Sequence, residues 1–138
     1  MNDFTTAYTV DRTPHEVYDA VMDVRSWWTG EITGTTDVVG EEFTYAYADK
    51  HRSTHRVTEL TPGRRVAWLT TASHLPFASD PTEWDGTSVV FDITEVEDGT
   101  ELRFTHAGLV PDFECFTDCS SAWSHYIHQS LRRRIEGA

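Results

Sequence analysis

Residues 87–106 have the sequence TSVVFDITEVEDGTELRFTH. Apolar and polar side chains alternate over residues 87–95, and the alternation resumes over residues 102–106. An alternation with a period of two is typical of a strand that packs one face against a core. The break between the two runs contains Glu97-Asp98-Gly99, and Asp-Gly is favoured in tight turns between antiparallel strands. This stretch therefore predicts a β-hairpin within an antiparallel sheet.

Further strands are predicted upstream of this hairpin. The same alternation occurs over residues 4–10, 43–47, 51–60 and 64–70. Pro62-Gly63 predicts a turn between the last two of these strands. Residues 74–85 contain two prolines and predict a longer loop.

Two helices are predicted, one after the first strand and one at the end of the chain. Thr13-Pro14-His15-Glu16 forms a capping box with proline at the first helical position. Residues 112–135 carry apolar side chains at three- and four-residue spacing. These side chains are Phe116, Cys119, Trp123, Ile127 and Leu131. The order of elements predicts an α+β fold in which one long C-terminal helix covers an antiparallel sheet.

The composition narrows the classes of partner. The chain has 138 residues, which suits one domain over residues 1–138, and a formal charge of −12. The electrostatic field of a negatively charged protein disfavours binding to nucleic acid and to anionic membrane surfaces.

The N-terminus shows no signal peptide, and the two cysteines are expected to be reduced, so we expect a cytoplasmic protein. No motif predicts a cofactor.

Several short motifs together are similar to one known superfamily. They are Trp27-Trp28, Glu31-Ile-Thr-Gly-Thr35, Gly40-Glu-Glu-Phe43, Glu83-Trp84-Asp-Gly86-Thr87, residues 100–111, and Cys115 with Cys119-Ser-Ser-Ala-Trp123. The chain resembles the START-like, or SRPBCC, superfamily, in the branch of the heat-shock-protein-90 ATPase activator homologues. The resemblance covers nearly the whole chain and implies a helix-grip fold, similar to that of pollen allergens, with an internal cavity between the sheet and the C-terminal helix. It does not imply one activity, because relatives include lipid and hormone carriers, polyketide cyclases and chaperone-binding domains.

The candidate ligand-binding residues are the inward side chains that would line this cavity. They are Trp28, Phe43, Tyr45, Tyr47, His55, Trp68, Phe91, Phe104, His106, Cys119 and Trp123. Imidazole and thiol groups are also zinc ligands, but the spacing of His55, His106 and Cys119 matches no zinc signature, so we predict no metal site. Trp27 and Trp28 fit core packing at a helix end as well as the mouth of a cavity.

Three functions are open at this point. The first is a non-catalytic protein that binds a small apolar or aromatic ligand. The second is a cyclase- or hydrolase-like enzyme that uses His55 or His106 as a general base. The third is a chaperone co-regulator that acts through its surface, although the eukaryotic activators carry an additional domain that we do not expect in 138 residues. A homodimer remains open for each of the three.

Overall fold

The computed structural model describes residues 4–28, 30–47, 51–74, 84–109 and 116–137, with the backbone alone described for residues 116–119. Strands and helices follow one another in the predicted order. The strands are β1 (Phe4–Val10), β2 (Glu31–Gly34), β3 (Glu42–Tyr47), β4 (His51–Thr61), β5 (Arg65–His74), β6 (Ser88–Val96) and β7 (Gly99–Ala107). The helices are α1 (Pro14–Met22), α2 (Val24–Trp27), α3 (Phe116–His125) and α4 (Arg132–Glu136), with a π-helical segment (Tyr126–Leu131) between the last two. No helix among the described residues has the length and apolar character needed to cross a membrane.

The seven strands form one antiparallel sheet in the order β1-β7-β6-β5-β4-β3-β2. The hairpin predicted from residues 87–106 is β6 and β7, which pair from Ser88 opposite Ala107 to Val96 opposite Gly99. Val89, Phe91 and Ile93 are buried, as the alternation of polar and apolar residues requires. The α+β fold with an antiparallel sheet and a C-terminal helix is confirmed.

Two features of the sheet differ from the expectations. Strand β2 was not predicted from alternation, because three of its four residues are exposed and Ile32 alone is partly buried. Tyr47 was expected to point inward with Phe43 and Tyr45, but it is 45% exposed. It is the last residue of β3, where the strand runs beyond the core.

Helix α1 begins as the capping box predicts. The Thr13 hydroxyl accepts a hydrogen bond from the Glu16 backbone N–H, and the Glu16 carboxylate accepts one from the Thr13 N–H. These bonds satisfy two donors that a helix start otherwise leaves unpaired. Hydrogen bonds to the Glu16 carboxylate, first from the Thr13 backbone N–H and then from the Thr13 side chain, also hold the pKa of this carboxyl group below its ordinary value. Val17, Ala20 and Val21 form the buried face of the helix.

The π-helical segment keeps one face of the C-terminal helix on the sheet. Trp123, Ile127, Leu131 and Ile135 are all buried, and each follows the last by four residues. In an α-helix each four-residue step would rotate the side chain by about 40° around the axis, or about 120° over three steps. The wider turn of a π-helix reduces this rotation, so the four side chains stay on the same face.

Strand β1 fixes the π-helical segment in place. The Tyr8 hydroxyl donates a hydrogen bond to the Ile127 carbonyl oxygen at 2.8 Å. Burial raises the pKa of this hydroxyl well above its ordinary value, so it remains a donor. A second bond joins Thr6 Oγ1 and His128 Nε2 at 2.6 Å. The helix is thus attached to the edge of the sheet by specific polar contacts as well as by packing.

The outer edge of β2 carries an arginine. The Arg25 guanidinium donates hydrogen bonds to the carbonyl oxygens of Ile32 and Gly34, at 3.3 and 3.2 Å. Both carbonyl oxygens lie on the edge that does not pair with β3. Arg25 is itself exposed, so its side chain lies along the surface of the sheet edge.

Candidate functional site

Aromatic rings occupy the space between the sheet and the C-terminal helix. They come from the ends of helices, from four strands and from one turn, and neighbouring ring centroids lie 3.8–6.0 Å apart. The rings belong to Trp28, Phe43, Tyr45, Trp68, Trp84, Phe91, Phe104 and Trp123. We call this set the ring cluster. Each of its members is at most 2% exposed.

Trp28 lies at the centre of the ring cluster. Its ring stacks on Tyr45 with a centroid distance of 3.8 Å and an interplanar angle of 10°. It lies parallel to Trp68 at 6.0 Å and contacts Trp123 at 5.0 Å. Trp28 follows the last residue of α2, so the end of a short helix places it over the sheet. The sequence allowed two interpretations of the Trp27-Trp28 pair, core packing and the mouth of a cavity. These contacts are those of core packing.

His106 is held in a single tautomer by its neighbours. The Trp123 indole N–H donates to His106 Nδ1 at 3.0 Å, so Nδ1 carries no proton. The other nitrogen, Nε2, lies 2.8 Å from Thr87 Oγ1. Because the Thr87 hydroxyl already donates to the Trp84 carbonyl oxygen, it must accept a proton from His106 Nε2. Both ring nitrogens are therefore in use, and His106 has no free lone pair with which to act as a base.

A second set of buried polar groups forms a continuous chain across β4 and β5. His51 Nε2 lies 3.0 Å from Ser53 Oγ, and Ser53 Oγ lies 2.8 Å from His55 Nε2. His55 Nδ1 lies 3.1 Å from Thr70 Oγ1. We call these four residues the polar chain. His55 is fully buried, whereas His51 at one end is partly exposed. The polar chain thus runs from the surface into the ring cluster.

Burial keeps the three histidines of this region neutral. It lowers the pKa of His106 to about 3, with a smaller effect from the nearby His51. It lowers the pKa of His51 to about 4. The pKa of His55 lies well below its ordinary value, first because of burial and then because of His106 and His51. At neutral pH none of the three carries a charge.

We expect the stability of the fold to fall as the pH falls below 6.5. The unfolded chain then protonates His106, whereas the folded chain does not until the pH approaches 3. Stability is therefore fully present above the unfolded pKa and is lost between pH 6.5 and about 3. For His106 alone the loss between pH 6.5 and 5 is roughly 2 kcal/mol. Urea unfolding at a series of pH values measures it.

The matched variants are His106→Gln and His15→Gln. His106→Gln should reduce the loss of stability between pH 6.5 and 5 by roughly 2 kcal/mol and leave the contributions of His51 and His55. His15 is exposed, so His15→Gln should keep the wild-type dependence on pH. Equal slopes for the wild type and His106→Gln would show that His106 is protonated in the folded state over this range.

The predicted site residues divide into three groups. Nine of them lie together in the ring cluster or contact it: Trp28, Phe43, Tyr45, His55, Trp68, Phe91, Phe104, His106 and Trp123. Tyr47 lies at the surface. The backbone of Cys119 is in α3, but its side chain and Cys115 lie outside the described residues. Among the described residues, no group of three or more His, Cys, Asp or Glu side chains could hold a metal ion.

Sequence reasoning missed Trp84, His51 and Thr70. Trp84 was assigned to a long loop, yet its ring contacts His51 and His106, each at 4.6 Å, and stacks near Trp123. A tryptophan just before an Asp-Gly turn is an apolar residue that a loop rarely leaves in water, and that signal could have found it. His51 shares the parity of Ser53 and His55 along β4, so the alternation also contained it.

One open groove lies away from the ring cluster and shares no residue with it. It has a volume of about 450 Å³ and runs between the start of α1 and the turn of the β6–β7 hairpin. Four of the residues that line it are acidic: Asp11, Glu16, Glu95 and Glu97. Acidic turns of this kind are ordinary solvated surface.

The chain is similar to one protein family over most of its length. The model of the family described as "Activator of Hsp90 ATPase homolog 1-like protein" matches residues 11–136. Among curated proteins, no sequence relative was found.

Solved structures share the fold at low sequence identity. The Aha1 dimer from Colwellia psychrerythraea is 24% identical, with a TM-score of 0.79 over 99% of this chain and 97% of that one. Protein MLL2253 from Mesorhizobium loti is 17% identical, with a TM-score of 0.80 over 99% and 98% of the two chains. DynU16, a protein of the dynemicin biosynthetic locus, is 16% identical, with a TM-score of 0.70 over 99% of this chain and 48% of that one.

Proposed function

The chain belongs to the family of activator of Hsp90 ATPase homolog 1-like proteins, and on that premise we propose that it binds a small apolar or aromatic molecule between its sheet and its C-terminal helix. The observation that carries the proposal is the polar chain of His51, Ser53, His55 and Thr70, which runs among aromatic rings. Ligand sites combine a mostly apolar lining with a few polar groups that orient the ligand. Four linked polar side chains add little to the stability of a core that apolar side chains of the same size could fill, even when the polar groups are paired.

The geometry favours binding over catalysis. A general base needs a free lone pair within reach of its substrate. His106 has none, and both nitrogens of His55 lie at hydrogen-bonding distance from hydroxyl groups. A structural relative from a biosynthetic locus fits a role with small molecules. We also propose that the protein is cytoplasmic. A homodimer is compatible with this function, since one structural relative is a dimer.

We expect Tyr45→Phe to change ligand affinity with little change in stability. The Tyr45 hydroxyl lies 3.5 Å from the Tyr126 hydroxyl, a long contact, and the change keeps the ring that stacks on Trp28. Removing the hydroxyl should lower the free energy of unfolding by about 1 kcal/mol or less. Urea unfolding measures this change. Titration with N-phenyl-1-naphthylamine, a neutral fluorescent probe, measures affinity through energy transfer from the tryptophans.

A surface variant controls for adventitious binding of the probe. Val38 and Val39 are 49% and 55% exposed and could bind an apolar probe outside the core. The double variant Val38→Ser, Val39→Ser should therefore bind as the wild type does. The proposal fails if the wild type takes up no probe and a range of lipids and aromatic compounds causes no thermal shift. It also fails if the surface variant alone abolishes uptake.

A further inference from the structure

Two buried indole groups have no hydrogen-bond acceptor in the part of the chain that the structure describes. Trp68 lies in the middle of β5 and is fully buried, and Trp84 lies in the turn before β6 and is 2% exposed. Among the described residues, no atom accepts a hydrogen bond from either Nε1 atom. Two other indoles are paired, since Trp27 donates to the Val21 carbonyl and Trp123 donates to His106. An unpaired buried donor is unfavourable and needs an explanation.

Among the described residues, the contacts of the two indoles are mainly with aromatic and imidazole rings. Both rings flank His55, with centroid distances of 5.8 Å for Trp68 and 6.5 Å for Trp84. The nitrogens of His55 are engaged with Ser53 and Thr70, so they are not free to accept from an indole. Phe43 also contacts the Trp68 ring, at 5.0 Å, and has no acceptor atom.

The charges around the ring cluster restrict which kind of ligand group could accept a hydrogen bond from these two indoles. Every arginine among the described residues is partly or fully exposed, so no described cation lies in the ring cluster. The nearby histidines are neutral. An anion placed there would lose its hydration without gaining a countercharge, which is strongly unfavourable. A neutral acceptor loses much less.

We propose that the site selects a neutral, flat molecule with a carbonyl oxygen that accepts a hydrogen bond from Trp68 or from Trp84. The inference rests on the proposed function, since it concerns the ligand of the same site. A ligand amide or pyrrole N–H group facing either indole would place donor against donor, so the site discriminates by hydrogen-bond direction as well as by shape. Such discrimination is strong where a polar group would otherwise stay buried and unpaired.

The test compares two ligands of nearly the same size and shape. 9-Fluorenone carries a carbonyl group where fluorene carries a methylene group. Protein labelled with ¹⁵N in its five tryptophans gives one indole signal for each, assigned with Trp→Phe variants. We expect fluorenone to bind about tenfold more tightly than fluorene. It should also move the indole proton of at least one of Trp68 and Trp84 further downfield than fluorene does, because fluorene reproduces the ring-current effect alone. The Trp27 signal should respond equally to both ligands.

Variants assign the preference to single atoms. Trp68→Phe and Trp84→Phe remove the N–H group and keep an aromatic ring, so at least one of these variants should reduce the preference for fluorenone several-fold. Trp27→Phe is the control and should keep it. Equal affinities for the two ligands without the downfield shift, as a resident buried water molecule would produce, would overturn the inference and leave the proposed function intact. Binding of neither ligand, nor of the naphthylamine probe, would overturn both. If the variants do not fold, the shifts in the wild type decide alone.

Discussion

Replacing Trp123 by alanine is expected to lower the free energy of unfolding by about 3–5 kcal/mol. The ring is 2% exposed and contacts Phe104 at 4.6 Å and Trp28 at 5.0 Å. Alanine would leave a hole that rings from both the sheet and the helix surround, so the hole cannot close fully. The change would also leave His106 Nδ1 buried without a donor. Urea unfolding at pH 7.5 measures the loss.

Trp123→Phe separates packing from hydrogen bonding at this position. Phenylalanine keeps most of the ring contact but cannot donate to His106, so we expect a loss of about 1–3 kcal/mol. This variant should also raise the pKa of His106, because the unprotonated Nδ1 loses its donor. A loss below about 1 kcal/mol for Trp123→Ala would contradict the packing of this helix against the ring cluster.

Replacing Gly99 by alanine is expected to cost about 3 kcal/mol. Gly99 begins β7 with a φ of +150°, a conformation that side chains disfavour. A Cβ atom there would overlap the carbonyl oxygen of Val10 on β1. The position of this Cβ is fixed by the backbone of β7, and the Val10 oxygen belongs to the backbone of β1. Neither atom can therefore move without disturbing strand pairing. Thermal and urea unfolding of the variant would measure the effect.

Gly86→Ala is the matched control for Gly99→Ala. Gly86 also has a positive φ, +82°, but a Cβ atom there meets nothing within 4 Å. Alanine should therefore cost only the backbone strain, about 1–2 kcal/mol. Equal losses for the two variants would show that strain alone matters and that the close approach of β1 to Gly99 does not.

The sequence predicts those parts of the fold in which local pattern and core packing agree. The β6–β7 hairpin alternates because one face is buried, and the Thr13 capping box is a local signal that needs no tertiary information. Strand β2 has neither kind of signal, since a short exposed edge strand buries too little to show alternation. The π-helical segment was also beyond reach, because a spacing of four between apolar residues is shared by α-helices.

The sequence predicted most of the aromatic side chains that lie in the candidate site, but not the hydrogen bonds between its polar groups. The rings of Phe43, Phe91 and Phe104 follow directly from strand alternation. The tautomer of His106 does not, because it depends on Trp123 from the helix and on Thr87 from the turn that precedes β6. Contacts between residues so far apart in the chain leave no local pattern. For the same reason the unpaired indoles of Trp68 and Trp84 could be recognised only once the surrounding atoms were in place.

The arginine on the edge of β2 has a consequence for assembly. An unpaired strand edge is a template on which a second chain can add a strand, and proteins that stay soluble block such edges. Arg25 occupies the carbonyl oxygens of Ile32 and Gly34 that an added strand would use. Self-association that extended the sheet at β2 would first have to displace this guanidinium. Addition of a strand at β2 is therefore less favourable than at an open edge, which disfavours aggregation through this edge of the sheet.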